Sequence, residues 1–70
     1  MPSFTLRKIN NTNKFPYAIE PNDEEAHKLY AEMIRWCYET YEPSKWHREF
    51  YCVRFQAEAD RNWFLLRWSS

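Results

Sequence analysis

The stretch NDEEAHKLYAEMIRWCYETYEP, residues 22–43, decides the fold of this 70-residue chain. Its apolar side chains recur at spacings of three and four residues, which is the period of a helix with one buried face. They are Ala26, Leu29, Tyr30, Met33, Ile34, Cys37, Tyr38 and Tyr41. This spacing predicts one amphipathic helix over residues 22–41.

Both ends of the predicted helix carry boundary signals. Asn22 is a suitable N-cap, and Glu25, three residues later, is its expected capping-box partner. Pro43 cannot continue a helix, and it biases the preceding residue toward extended backbone angles. We therefore expect the helix to end near Tyr41.

Three further stretches are predicted to be extended. Residues 4–9 alternate apolar and polar side chains, and residues 10–13, NNTN, are typical of a turn in a chain without glycine. Residues 14–19 are expected to form a short edge strand or an irregular extended segment, because Pro16 has no N–H for a ladder. Residues 46–55 are rich in aromatic and β-branched side chains, which predicts the principal strand.

The end of the chain allows two readings. Residues 56–62 form a hairpin loop followed by a strand at 63–68, or residues 57–64 form a short helix followed by a brief strand at 66–68. The helix is favoured, because Ala57, Glu58, Ala59 and Arg61 are good helix formers and no Asn-Gly or Asp-Gly turn is present. The expected fold is a single α+β domain over residues 1–70, with one long amphipathic helix on a small, mostly antiparallel sheet of three or four strands.

The composition of the chain limits the classes of function that it can have. Ten basic and ten acidic residues balance, so no electrostatic case favours nucleic acid or a membrane surface. The sequence shows neither a charged-then-apolar leader nor a long apolar run, and we expect a soluble, cytoplasmic protein with reduced thiols. A chain of this size needs large side chains for its core, but 4 Trp, 5 Tyr and 5 Phe are also enough to place some aromatic rings on the surface.

No group of residues predicts a catalytic or metal site. His27 and His47 have no sequence partner for acid–base work, and Cys37 lies on the apolar helix stripe as a buried hydrophobe. The histidines and cysteines are singletons, whereas a structural zinc site needs close ligand pairs. Phosphate-cradling loops need glycine, which the chain lacks. We expect no enzyme and no cofactor.

In the C-terminal part, Phe55, Asp60, Phe64, Leu66 and Trp68 follow a spacing that resembles a tail found in small accessory proteins of tailed bacteriophages. In that pattern a strand ending in Phe is followed by an Asp that opens a short helix, then by Phe and a final Leu-x-Trp. The matching residues here are Phe55, Asp60, Phe64, Leu66 and Trp68, with Arg61 where the pattern often has alanine. The resemblance implies a compact α+β protein of the size class that includes inhibitors of host enzymes and of bacterial immunity.

The resulting hypothesis is a phage-type accessory protein, acting in the host cytoplasm, that inhibits or redirects a host enzyme or defence factor by protein–protein interaction. A homodimer is considered as well. Trp and Arg dominate binding hot spots, and four such residues lie outside the clearest core positions. These are Trp36, Trp46, Arg48 and Trp63. The alternative is a nucleotide or nucleic-acid binding module, a sponge, that stacks bases between aromatic and arginine side chains.

Overall fold

The computed structural model describes residues 1–9 and 14–69, so the turn predicted at residues 10–13 lies outside the described residues. Within them the fold is α+β, with four strands, three α-helices and a short 3₁₀ turn at Pro43–Lys45. In chain order the other elements are β1 (Phe4–Lys8), β2 (Tyr17–Pro21), α1 (Glu24–Lys28), α2 (Tyr30–Thr40), β3 (Trp46–Glu49), β4 (Cys52–Phe55) and α3 (Glu58–Ser69). None of these helices combines the length and the apolar character needed to cross a membrane.

The four strands form one antiparallel sheet in the order β1-β2-β4-β3. The sheet itself was predicted, but β2 is a central strand and not an edge. Pro16 stands just before it, where its carbonyl accepts from the Ile9 N–H at 2.8 Å, so its missing donor costs little. The edges are β1 and β3.

One hydrophobic core joins the sheet to α2 and α3. Ile19 pairs with Val53 and Trp46 with Phe55, so these four side chains share one face of the sheet. That face and the two helices contribute the buried core: Ile19, Tyr30, Met33, Ile34, Cys37, Trp46, Val53, Phe55, Phe64 and Trp68. The predicted apolar stripe is therefore confirmed for α2 at four positions, but Tyr38 is 65% exposed and does not belong to the buried face.

The helix predicted as one piece is two, with Leu29 between α1 and α2. The Leu29 N–H donates to the Ala26 carbonyl at 3.2 Å, three residues back, which tightens one turn to 3₁₀ geometry. The regular pattern resumes with the Met33 N–H on the Leu29 carbonyl at 2.9 Å. No Pro or Gly marks this break, so hydrophobic spacing alone did not reveal it.

The predicted cap was displaced by one residue. The N–H of Asn22 donates to the Ser3 carbonyl at 2.8 Å, which keeps Asn22 in the β1–β2 ladder. Asp23 caps α1 instead, and its Oδ1 accepts from the Ala26 N–H at 2.8 Å. Glu25 does not close a capping box, because its carboxylate lies 3.3 Å from the N-terminal amine.

The C-terminal segment is α3, which runs to Ser69, so neither predicted terminal strand forms. Phe64 and Trp68 point into the core, 1% and 7% exposed, which is where a helix needs apolar residues four apart. The Tyr41 hydroxyl donates to the Asp60 carbonyl at 2.9 Å and ties the start of α3 to the chain following α2.

Arg61 is the buried charge of the fold, with 8% of its surface exposed. Its Nη1 donates to the Arg7 carbonyl at 3.2 Å, and its Nη2 lies 3.3 Å from a carboxylate oxygen of Glu58. The guanidinium lies 5.4 Å from the centre of the Tyr17 ring. Through these contacts one side chain connects α3 to both β1 and β2.

We predict that Arg61→Ala lowers the free energy of unfolding by about 2–3 kcal/mol, because it removes buried stem packing and the bond to the Arg7 carbonyl. Arg61→Met, which keeps the stem, should cost about 1 kcal/mol. Glu58→Gln is the control and should stay within about 0.5 kcal/mol, since that carboxylate is largely exposed. Urea unfolding measures all three, and an Arg61→Ala protein as stable as the wild type would contradict the assignment.

Candidate functional site

The face of the sheet opposite the core carries a cavity of about 410 Å³. Ala18, Cys52 and Arg54 alternate along their strands with the core-facing residues, so they lie on this second face, called here the open face. The lining residues are Arg7, Ile9, Ala18, Glu20, Pro21, His27, Glu49, Phe50, Tyr51, Cys52 and Arg54. The volume lies within the range of small-molecule and side-chain pockets.

The walls of the cavity are charged but electrically balanced. Arg7 Nη2 lies 2.8 Å from a carboxylate oxygen of Glu20, and Arg54 Nη1 pairs with Glu49. The Arg54 side chain is only 12% exposed, and its Nε donates to the Phe15 carbonyl at 3.2 Å. Because each guanidinium already has a carboxylate partner, the site provides no surplus positive charge for a phosphate.

At one end of the cavity the chain turns in a tight hairpin. The predicted single strand over residues 46–55 is in fact β3 and β4, joined by a two-residue loop, with Glu49 opposite Cys52. We call the loop residues Phe50 and Tyr51 the hairpin tip. No Gly, Asn or Asp occurs in this loop, so no residue type that favours a turn marks it in the sequence.

Phe50 is the most unusual residue of the site. Its φ is 51°, in the left-handed region, where a side chain with a Cβ costs about 1 kcal/mol or more. Its ring gains little from burial in return, since the residue is 88% exposed. A strained backbone that presents a large apolar ring to solvent is typical of a functional position.

Tyr51 is also exposed, at 61%, but its ring is held in place. It meets the rings of His27 and Tyr30 edge-on, with centroids 5.4 and 5.5 Å away. His27 is itself fixed, with Nδ1 2.9 Å from the Asp23 carbonyl oxygen. The hairpin tip therefore combines one free ring with one that is already oriented.

The two cysteine thiols, Cys52 at the cavity and Cys37 in the core, do not suit nucleophilic chemistry. Burial, reinforced by the Glu20 and Glu49 carboxylates, raises the pKa of the Cys52 thiol despite the opposing Arg54. Burial raises the pKa of Cys37 to about 12. Both thiols stay protonated near neutral pH, and the thiolate is the reactive form. In the part of the chain that the structure describes, no three His, Cys, Asp or Glu residues converge on a metal-binding position.

The structure places the four sequence-predicted contact residues on three elements, α2, β3 and α3, with Trp46 and Arg48 on the same face of β3. Trp46 is 6% exposed and meets the Tyr38 ring, and Trp36 is half-buried against Phe64 and Trp68. Arg48 is exposed on β3, with its guanidinium 5.6 Å from the centre of the Tyr30 ring. Trp63 is 56% exposed on α3, on the helical side of the sheet. Sequence reasoning missed Phe50 and Tyr51, because a run of apolar residues in an extended stretch resembles a buried strand.

Comparisons of the chain with protein-family models, with curated proteins and with solved structures find no match.

Exchanging Phe50 tests whether its backbone is strained. We predict that Phe50→Asn raises the free energy of unfolding by about 1 kcal/mol, because asparagine tolerates the left-handed region better than phenylalanine. Phe50→Ala also removes the ring but keeps an ordinary Cβ, and should stay within about 0.5 kcal/mol of the wild type. Urea midpoints measure both, and equal stabilities for the Asn and Ala variants would refute strain at this position.

Proposed function

We propose that this protein is an interaction module that binds another protein through the hairpin tip and the adjoining cavity on the open face. The observation that carries the proposal is the Phe50 ring, 88% exposed on a left-handed backbone. Such strain has no benefit for folding, so its presence fits a role in contact with a partner.

The surroundings of the ring suit protein recognition. A partner that covers the Phe50 ring gains apolar burial, and the Tyr51 ring has already lost part of its freedom through His27 and Tyr30. The balanced pairs Arg7–Glu20 and Arg54–Glu49 provide a polar, hydrogen-bonding rim around an apolar centre. This combination is the usual anatomy of a protein interface.

The nature of the partner is proposed from the C-terminal resemblance. Phe55, Asp60, Phe64, Leu66 and Trp68 resemble the tail of small phage accessory proteins. In that setting the partner is a host enzyme or defence factor, which this protein inhibits or redirects by occupying a surface without chemistry of its own.

The decisive experiment compares two exposed surfaces on opposite sides of the sheet. Tagged wild type, a Phe50→Ser/Tyr51→Ser variant and a Trp63→Ser variant are used to isolate partners from bacterial lysate. The Kd of each is then measured with the purified partner. We predict that the double variant weakens binding by about thirty-fold, or about 2 kcal/mol, because it removes the central aromatic contacts. The Trp63→Ser protein should bind as the wild type does.

Circular dichroism establishes that each variant keeps its helices and sheet. A folded double variant with an unchanged Kd would eliminate the hairpin tip as the contact surface. Loss of binding in Trp63→Ser alone would place the interface on the exposed side of α3, where Trp63 lies.

A second candidate function, a nucleotide sponge, is favoured by one observation. Arg7, Arg54 and Tyr51 all line the cavity, and arginine and aromatic faces can stack on bases. The paired carboxylates of Glu20 and Glu49 argue against it, since they would repel phosphate.

Native mass spectrometry of the wild-type protein with a mixture of ribonucleotides and cyclic dinucleotides separates the two functions. The interaction proposal predicts no stoichiometric adduct, because no cation of the cavity walls is left uncompensated. An adduct that disappears in Tyr51→Ser would favour the sponge.

A further inference from the structure

The hydrogen bonds between β1 and β2 show which backbone groups of β1 point into the sheet and which point outward. The Ile9 N–H donates to the Pro16 carbonyl and the Asn22 N–H to the Ser3 carbonyl, each at 2.8 Å. Because bonded and non-bonded pairs alternate in an antiparallel ladder, Thr5 and Arg7 also bond to β2. The N–H and C=O groups of the intervening Phe4, Leu6 and Lys8 therefore point away from the sheet.

We infer that this free edge pairs with the β1 edge of a second copy of the chain. The two strands run antiparallel about a two-fold axis at Leu6 and join the two sheets into one. This is the register in which all the outward N–H and C=O groups of Phe4, Leu6 and Lys8 find partners. The inference does not rest on the proposed function, since it uses the outward backbone groups of β1 and not the hairpin tip. Arg7 of β1 also lines the cavity, but its backbone groups bond to β2.

The side chains match in this register. Leu6, 40% exposed on the helical side of the sheet, meets the Leu6 of the second copy, so each covers the other. Phe4 lies opposite Lys8, and an ammonium group is attracted to an aromatic face, as Lys8 already shows 5.7 Å above Tyr17. On the open face, Thr5 lies opposite Arg7. No two like charges are directly opposite, which is what a self-complementary interface requires.

The other edge, β3, does not offer the same match. Glu49 lies opposite Cys52 and the Gln56 N–H donates to the Lys45 carbonyl, so the outward groups of β3 belong to Trp46 and Arg48. A two-fold axis at Arg48 would place two guanidinium groups directly opposite each other, and an axis at Trp46 would run into the 3₁₀ turn. An axis at His47 would pair Trp46 with Arg48, but it would form only four backbone hydrogen bonds, against six at the β1 edge. The observations thus favour a closed dimer through β1.

The oligomeric state and two substitutions test the inference. Sedimentation of the wild type over a wide range of concentration should give a monomer–dimer equilibrium. Leu6→Pro removes one outward N–H, which the monomer does not use, and should weaken dimerisation by about ten-fold or more. Arg48→Pro is its counterpart on the β3 edge and should leave dimerisation unchanged. A wild type that remains monomeric, or a Leu6→Pro protein that dimerises normally, would overturn the inference.

Cross-linking keeps the test valid if Leu6→Pro does not fold. In a Cys52→Ser background, Leu6→Cys places two thiols at the two-fold axis, where a short bismaleimide can join them. Lys8→Cys lies on the same strand and the same face, but its two copies stand about 14 Å apart along the strand direction. Covalent dimer should form far more readily from Leu6→Cys, and equal yields from both variants would rule out this register.

Discussion

The fold depends on the contacts of one ring, that of Phe64 in α3. It is 1% exposed and lies close to four other aromatic rings, with centroid distances of 5.6–6.4 Å. They are Phe4 of β1, Trp36 of α2, Phe55 of β4 and Trp68 of α3 itself. A chain of this length buries little surface, and a ring that links four elements is an efficient source of apolar burial. The helical side of the sheet is organised around this ring.

That arrangement leaves the other side of the sheet with a different composition. Since the core side chains occupy one face, their neighbours along each strand must point to the open face, where Arg7, Glu20, Glu49 and Arg54 form ion pairs over Ala18. Ala18 is 2% exposed although it does not belong to the Phe64 core. The long charged side chains therefore act as a second, thinner layer that shields the centre of the sheet.

The sequence predicted the features that depend on periodicity, but few of those that depend on how the helices and strands pack against one another. The α2 stripe, the antiparallel sheet and the helical character of α3 were predicted, because period and propensity act over several residues. The cap at Asp23 was not, because the hydrogen bond to Ser3 holds Asn22 in the β1–β2 ladder. The break at Leu29 was not predicted either, because no Pro or Gly marks it. Trp36 lies off the centre of the stripe on a helical wheel, but α3 covers it, and a single helix pattern contains no information about such a neighbour.

The candidate site was missed for a related reason. Residues 46–55 satisfy every compositional test for one strand, and the backbone reverses at Phe50 and Tyr51 without a residue that favours turning. The fold can hold that reversal because Trp46 and Phe55, opposite each other in the ladder, are both buried on the core face and fix the register of the two strands. Strain at the hairpin tip is thus sustained by packing at the far end of the same hairpin. The strand order also places the β3–β4 hairpin and the β1 strand at opposite edges of the sheet, so the hairpin tip lies away from the β1 edge.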